Sequence, residues 1–114
     1  MADLMEQLRS RLPAMRVLTD AADTESYRFD ETAFLHAGRP LAVAFPTSTA
    51  DVVEIVRLAS AAGVPIVARG AGTGLSGGAV AIDGALTVAF TKMNAILEID
   101  TANLTATVQP GVIN

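Results

Sequence analysis

Short apolar runs and one amphipathic segment alternate through the middle of the chain. Residues 41–45 are all apolar, over a length typical of a buried strand. In residues 52–62 the apolar positions recur every three or four residues with polar residues between them, which predicts an amphipathic helix. Residues 64–68 form a second apolar run of strand length. The pattern over residues 41–68 therefore predicts a strand–helix–strand unit.

Local signals mark both ends of the predicted helix. Ser48 precedes it, and Asp51 three residues later completes a pattern that resembles a capping box, with Asp in place of the usual Glu. Gly63 follows the last apolar position and is typical of a helix C-terminal cap. A helical crossover joins two buried strands in a parallel, right-handed arrangement. We therefore expect the two strands to form a parallel pair.

The flanking segments are shorter or less regular. Residues 3–12 predict a short helix, because leucines fall four apart on one face and a proline follows. Residues 14–40 show turn signals but no periodicity. Farther along, residues 85–90 predict a strand, and residues 96–100 and 104–108 predict the two strands of a hairpin. The expected fold class is α/β (α+β), with one parallel unit and further strands.

Length and composition bound the organisation of the chain. The 114 residues suffice for one small domain, and 51% of them are hydrophobic, so a core can be buried. We divide the chain into a lead-in, residues 1–40, and an incomplete domain, residues 41–114. The last residues pass from a strand through a Pro-Gly turn to Val112 and Ile113, which predicts a fragment of a larger protein. A frayed natural terminus is the alternative.

Charge and residue types exclude several classes of function. The net charge is -4 and the eight basic residues are scattered, so there is no basic patch for nucleic acid. The absence of cysteine excludes disulfides, thiolate metal ligands and cysteine nucleophiles, and we expect no metal site. Asp3 and Glu6 near the start argue against a signal peptide, and no uncharged apolar run reaches the ~18 residues of a membrane span. We expect a cytoplasmic location.

Glycines concentrate directly after the second predicted strand. Five of the nine positions in residues 70–78 are glycine, which costs backbone entropy unless a positive φ or a close ligand requires it. Successive free N–H groups in such a segment form a nest for an anion, to which the hydroxyl groups of Thr73 and Ser76 add donors. Arg69 would either add a charge-assisted bond or brace the segment. We call residues 69–78 the glycine loop, and its place at a strand's carboxyl end is where parallel sheets bind ligands.

Three phosphate-binding arrangements compete for the glycine loop. The P-loop needs a lysine and then Ser or Thr after its last glycine, but Ala79 stands there and the only lysine is Lys92. The glycine spacing in residues 72–77 matches the dinucleotide fingerprint G-x-G-x-x-G, which requires a helix that begins inside the motif. No helix fits before the strand near residue 85. A loop that runs from strand to strand and offers backbone N–H groups fits best, and a surface loop that binds nothing is the alternative.

One combination of segments extends over residues 27–32, 45–48, 64–78 (with RGAGTGLSGG in the glycine loop), 93–100 and 108–112. Together these segments resemble the FAD-binding domain of the vanillyl-alcohol oxidase and p-cresol methylhydroxylase flavoprotein superfamily. Within it, they resemble most the branch of glycolate oxidase catalytic subunits and D-lactate dehydrogenases. The resemblance covers roughly residues 20–114 and implies that the domain in residues 41–114 is the first subdomain of an FAD-binding domain of the p-cresol methylhydroxylase type.

The resemblance implies non-covalent FAD as the cofactor, with its pyrophosphate along the glycine loop. The N–H groups of residues 70–75 would line the pyrophosphate, Pro46 would sit near the adenine end and Arg69 would support the loop. Superfamily members related to berberine-bridge enzymes carry a histidine for a covalent bond where this chain has Thr73, and the only histidine, His36, lies far upstream. The implied cofactor-binding residues are Pro46, Arg69, Gly70, Ala71, Gly72, Thr73, Gly74, Leu75, Ser76, Gly77, Gly78 and Ala79.

For a longer parent protein, the resemblance implies an FAD-dependent oxidoreductase that oxidises a 2-hydroxy acid such as glycolate or D-lactate. The substrate would bind to a C-terminal domain outside this chain. An iron–sulfur partner subunit that takes the electrons is a feature of the glycolate-oxidase branch that these residues do not test. Partners would place such an enzyme peripherally at a membrane. The alternatives are a folded, inactive fragment with at most weak FAD binding, and a relative with another task, such as an enolpyruvyl reductase or a sugar-lactone oxidase. We assign no catalytic residue, because Asp83, Glu98 and Asp100 show no pairing of the kind that acid–base chemistry needs.

Overall fold

A four-stranded sheet, two helices packed on it and a separate hairpin make up the fold. The computed structural model describes residues 3–114. Two further short helical turns lie in the lead-in. The elements, in chain order, are α1 (Leu4–Arg11), β1 (Arg16–Leu18), α2 (Ala21–Thr24), a 3-10 turn (Glu25–Tyr27), β2 (Ala42–Phe45), α3 (Thr49–Ala62), β3 (Ile66–Arg69), β4 (Leu86–Ala89), β5 (Ile96–Asp100) and β6 (Thr105–Val108).

The strands of the sheet follow the order β1-β2-β4-β3. Strands β2 and β3 both pair in parallel with β4, and β1 pairs antiparallel with β2. The parallel orientation of the strand–helix–strand unit is therefore confirmed, but the expected direct pairing of β2 with β3 is wrong. Strand β4 lies between them because all four of its residues are buried, whereas β3 alternates in burial and suits an edge.

Helix α3 has the ends that the sequence predicts. The Ser48 side chain accepts a hydrogen bond from the Asp51 N–H at 3.2 Å, and the Asp51 carboxylate in turn accepts one from the Thr47 N–H at 2.9 Å. Gly63 ends the helix with a φ of 67°. The helix begins at Thr49, three residues before its first periodic apolar position, because the cap determines the start.

Alternation along the strands divides the core between the two faces of the sheet. The face that packs against α1 and α3 joins the buried side chains of Leu4, Leu8, Ala42, Ala44, Ile55, Ala59, Leu86 and Val88. The opposite face presents Val43, Phe45 and Ala89, on which Leu18 and Tyr27 of the lead-in pack. Burial of one Leu or Ile side chain contributes roughly 1.5–3 kcal/mol, so Leu8 and Ile55 bind the two helices firmly to the sheet.

The lead-in and the hairpin differ in how well the sequence predicts them. The predicted helix over residues 3–12 is confirmed as α1, and the predicted hairpin is confirmed as β5 and β6. Strand β1 and helix α2 have only three and four residues, too few for a periodic pattern. Among residues 3–114, no helix combines the length and the apolar character that crossing a membrane requires.

Candidate functional site

The glycine loop leaves the sheet where the parallel strands end. Strand β3 ends at Arg69, and the chain reaches β4 only at Leu86. Between them lie bends and turns but no helix. The strand-to-strand arrangement is therefore confirmed, and a dinucleotide fold, which needs a helix N-terminus in this segment, is excluded for this loop.

The N–H groups of the loop are free, whereas several of its carbonyl groups are occupied. Within the described part of the chain, none of the N–H groups of residues 70–79 donates a hydrogen bond to another residue. In contrast, the Gly74 carbonyl accepts from the Glu31 N–H at 2.9 Å, and the Gly77 carbonyl accepts from the Val80 N–H at 3.2 Å. Free donors beside tethered acceptors give the loop the polarity of an anion site.

The glycines of the loop serve two different purposes. Gly72 and Gly77 have φ values of 75° and 79°, in the left-handed region that favours glycine. Both are also packed: a Cβ on Gly72 would lie 2.8 Å from Cζ of Arg69, and one on Gly77 would collide with Leu35. Gly70 and Gly78 have open space where a Cβ would be. The packed glycines shape the loop, and the open ones leave room for a ligand.

Arg69 lies beneath the loop with its side chain directed into the protein. Only 7% of the residue is exposed. The guanidinium donates to the carbonyl of Tyr27 at 3.2 Å and to those of Ser26 and Ala79 at 3.4 Å each. Burial lowers the pKa of Arg69 from its ordinary value, an effect that the nearby carboxylate of Asp30 opposes. Of the two roles that the sequence leaves open, the geometry favours a brace over a direct contact with an anion.

A segment of the lead-in, residues 28–38, lies across the glycine loop, and we call it the strap. Its two ends meet because the Arg28 guanidinium donates to the carbonyls of Gly38 and Ala37, each at 2.9 Å. The strap contacts the loop through the hydrogen bond between Glu31 and Gly74 and through Leu35 against Gly77. The sequence does not predict the strap, because the contacts that hold it are single hydrogen bonds and one side-chain contact, which leave no periodic pattern.

Comparison with known proteins identifies the family. Residues 40–114 match the family model described as "FAD binding domain". The chain belongs to this FAD-binding family. It is 48% identical to a glycolate oxidase subunit of Bacillus subtilis over 76% of this chain and 18% of the relative. It is 42% identical to a D-2-hydroxyglutarate dehydrogenase of Stutzerimonas stutzeri over 96% of this chain and 24% of the relative.

The structural comparison agrees with the sequence comparison. A crystal structure of p-cresol methylhydroxylase matches with a TM-score of 0.81 and 25% identity, over 96% of this chain and 22% of that one. The predicted fold class and the resemblance to that flavoprotein superfamily are thereby confirmed. The chain spans about a fifth of the length of the relatives it matches.

The other residues that the sequence predicts to bind the cofactor differ in their exposure. Ala71, Thr73, Leu75 and Ser76 are exposed on the loop, and Ala79 is half-buried at its end. Pro46 is fully buried just after β2, at the same edge of the sheet as Arg69. Its place beside an adenine stays a prediction, as does the role of each loop residue in binding FAD.

His36 is close to the glycine loop in space, although it is far from it in sequence. His36 and Leu35 line a cavity of about 370 Å³ together with Gly77, Gly78 and residues of β3. His36 itself is exposed. Sequence separation alone is therefore no argument that this histidine is remote from a ligand on the loop.

Asp83 and Asp100, which the sequence analysis considers for acid–base chemistry, instead make hydrogen bonds that order turns and loops. The Asp83 carboxylate accepts from the Arg39 N–H at 2.7 Å. The Asp100 carboxylate accepts from the N–H groups of Ala102 and Asn103 at 3.0 Å each, which orders the hairpin turn. Throughout residues 3–114, no group of three or more His, Asp and Glu side chains is arranged to hold a metal ion.

Proposed function

We propose that the glycine loop binds the pyrophosphate of FAD, so that this chain forms one side of the flavin site of an oxidoreductase. The observation that supports this is the run of ten N–H groups in residues 70–79 without partners among the described residues. A pyrophosphate carries several acceptor oxygens, and a nest of N–H groups satisfies them without a basic side chain in residues 70–79. The family match supports FAD as the source of the pyrophosphate.

The residues present fit such a ligand by chemistry and by space. The open positions at Gly70 and Gly78 allow the backbone to approach the anion closely. The exposed hydroxyl groups of Thr73 and Ser76 add neutral donors, and the buried charge of Arg69 lies beneath the loop. When bound, FAD supplies the electron acceptor, and the chain's own residues bind and orient it. The proposed binding residues are Pro46 and residues 69–79.

We propose a 2-hydroxy acid of the glycolate or D-lactate type as the substrate of the longer parent protein. Relatives named glycolate oxidase subunit, D-2-hydroxyglutarate dehydrogenase and D-lactate dehydrogenase support this class. The substrate domain, an iron–sulfur partner and a cytoplasmic location all belong to the same proposal. An inactive fragment with weak FAD binding, or a parent with another substrate, are the alternatives. The test is an assay of the purified parent protein with glycolate, D-lactate or D-2-hydroxyglutarate and an artificial electron acceptor. Turnover of one of these acids supports the proposal, and no turnover of any of them supports the alternatives.

We propose that FAD is held without a covalent bond. In relatives with covalent flavin, a histidine at this loop position forms the bond to the cofactor. This chain has Thr73 there, and the resemblance does not link threonine to flavin attachment. Acid precipitation of the flavin-loaded protein should release all of the flavin into the supernatant. Flavin that stays on the denatured chain, but not on a His36→Ala chain, would instead identify His36 as an attachment point.

Titration of the purified protein with FAD tests the pyrophosphate proposal directly. We expect saturable quenching of flavin fluorescence. In Gly70→Leu and Gly78→Leu the new side chain projects into open space, so both variants should keep the wild-type melting temperature. Each should bind FAD at least about tenfold more weakly, which is a loss of about 1.4 kcal/mol. Ala61→Leu, at the far end of α3, is the matched control and should bind as the wild type does.

Two results would contradict the proposal. The first is flavin fluorescence that stays unchanged when the wild-type protein is added in excess. The second is FAD affinity in Gly70→Leu and Gly78→Leu equal to that of Ala61→Leu, because side chains in the cradle would then not compete with the ligand.

A further inference from the structure

The strap contacts the glycine loop at one peptide group whose orientation matters for an anion. The Glu31 N–H donates to the Gly74 carbonyl at 2.9 Å. All described peptide bonds are trans, and in a trans peptide the C=O and the following N–H point in opposite directions. With the Gly74 carbonyl held toward the strap, the Leu75 N–H points away from it, and Leu75 itself is exposed.

Glycine alone cannot maintain that orientation. A residue without a Cβ crosses between backbone conformations at little cost, so the peptide after Gly74 can rotate and present its carbonyl instead. A carbonyl oxygen directed at a pyrophosphate repels it, whereas an N–H attracts it. The same property that lets the ligand approach Gly74 therefore creates a need for an external tether.

The strap has ordering contacts of its own, in addition to those that it makes with the glycine loop. The Asp30 carboxylate accepts from the Thr32 N–H at 2.8 Å, which forms an Asx turn around Glu31. The second oxygen of Asp30 is buried without a hydrogen-bond partner, and the positive charge of Arg69 nearby compensates it. Arg28 closes the base of the strap by its two bonds to carbonyl groups.

We propose that the strap is a positioning element for the anion site: the Asx turn at Asp30 presents the Glu31 N–H, which fixes the peptide between Gly74 and Leu75 with its N–H toward the pyrophosphate. This inference rests on the proposed binding of FAD. It assigns a role in cofactor affinity to Asp30 and to the backbone of Glu31, neither of which lies on the loop.

Glu31→Pro removes the tethering N–H, and Glu31→Ala is the matched control that keeps it. Glu31 is exposed, so its side chain contributes little. The loss of one hydrogen bond is expected to weaken FAD binding by about three- to tenfold in Glu31→Pro and to leave Glu31→Ala unchanged. ADP, which carries a pyrophosphate without the flavin, should lose affinity by the same factor.

A spectroscopic readout separates positioning from general damage. In ¹H–¹⁵N spectra, added FAD should shift the Leu75 amide in the wild type and in Glu31→Ala. In Glu31→Pro that shift should be reduced while the amides of α3 stay at their wild-type positions. If Glu31→Pro fails to fold, Asp30→Ala and Asp30→Asn replace it: Asn keeps an acceptor for the Thr32 N–H, so only Asp30→Ala should weaken FAD binding.

The outcomes distinguish this inference from the function on which it rests. If the wild type binds FAD but Glu31→Pro and Asp30→Ala bind it equally well, the tether is wrong and the FAD site stands. If the wild type binds neither FAD nor ADP, the proposed function fails and the tether fails with it. Weaker binding in Glu31→Pro alone, with Glu31→Ala unaffected, supports both.

Discussion

Replacement of Gly72 by alanine tests how the glycine loop is built. Gly72 has a φ of 75°, and a Cβ there would lie 2.8 Å from Cζ of Arg69 and closer still to Nη2. Relief of this contact requires the guanidinium to move. Arg69 is buried and donates to three carbonyl groups, so the movement costs hydrogen bonds.

The expected loss of stability has two parts. The left-handed conformation costs a non-glycine residue about 1–2 kcal/mol. Loss of one hydrogen bond from a charged donor adds about 1.5 kcal/mol. Together they amount to about 3 kcal/mol, which lowers the melting temperature of a domain of this size by roughly 10–20 °C.

Urea and thermal unfolding, followed by circular dichroism, measure this loss. Gly78→Ala is the matched control, because a Cβ at Gly78 has no neighbour within 4 Å, and it should change the free energy of unfolding by less than about 0.5 kcal/mol. In an Arg69→Ala background, the Gly72→Ala effect should shrink to its conformational part, because the steric conflict is gone. A Gly72→Ala protein as stable as Gly78→Ala would refute the packing argument. An undiminished effect in the Arg69→Ala background would assign the whole cost to φ.

Three further changes have defined outcomes. Thr87 is fully buried and its hydroxyl group has no hydrogen-bond partner, so Thr87→Val should raise the free energy of unfolding by about 1 kcal/mol in urea titrations, whereas Thr87→Ser should lower it. Leu104 has a φ of 57° and is 90% exposed, so Leu104→Gly should stabilise the hairpin turn by about 1 kcal/mol relative to Leu104→Ala. Hydrogen bonds from Asn103 lower the pKa of Asp100 below its ordinary value of 3.8. The stabilisation by the Asp100 carboxylate is therefore complete above pH 3.8 and disappears as the pH falls through the lower pKa of the folded state. The NMR signals of the hairpin amides should shift with pH in that lower range, and they should not do so in Asp100→Asn.

The sequence predicts the elements whose causes are local. Helix α3 follows from an apolar stripe with Ser48 and Gly63 at its ends, and the structure has both caps. The hairpin follows from two short strands on either side of a polar turn. Each of these features is decided by residues within a few positions of one another, so one sequence suffices to find it.

The sequence does not predict which strands are neighbours. Strands β2 and β3 are joined by a helix, yet β4 from farther along the chain separates them. That order depends on burial of β4 from both faces, which is a property of the assembled sheet. The strap is not predicted for a related reason, since its contacts with Gly74 and Gly77 join residues about 40 positions apart, one through backbone groups and one through the side chain of Leu35.

The spacing of its glycines is weak evidence that the loop is an anion site. Stronger evidence is that other residues donate hydrogen bonds to several of its carbonyl groups. In a dinucleotide fold, the helix that follows the fingerprint consumes the carbonyls and leaves its first N–H groups free. This loop has the same glycine spacing and no such helix. Here Glu31 of the strap, the guanidinium of Arg69 and a short turn at Val80 instead hold three carbonyls in residues 70–79, those of Gly74, Ala79 and Gly77. A strand-to-strand loop can therefore present the donors of a helix N-terminus only where other parts of the fold hold its acceptors, which explains why the lead-in packs against the glycine loop.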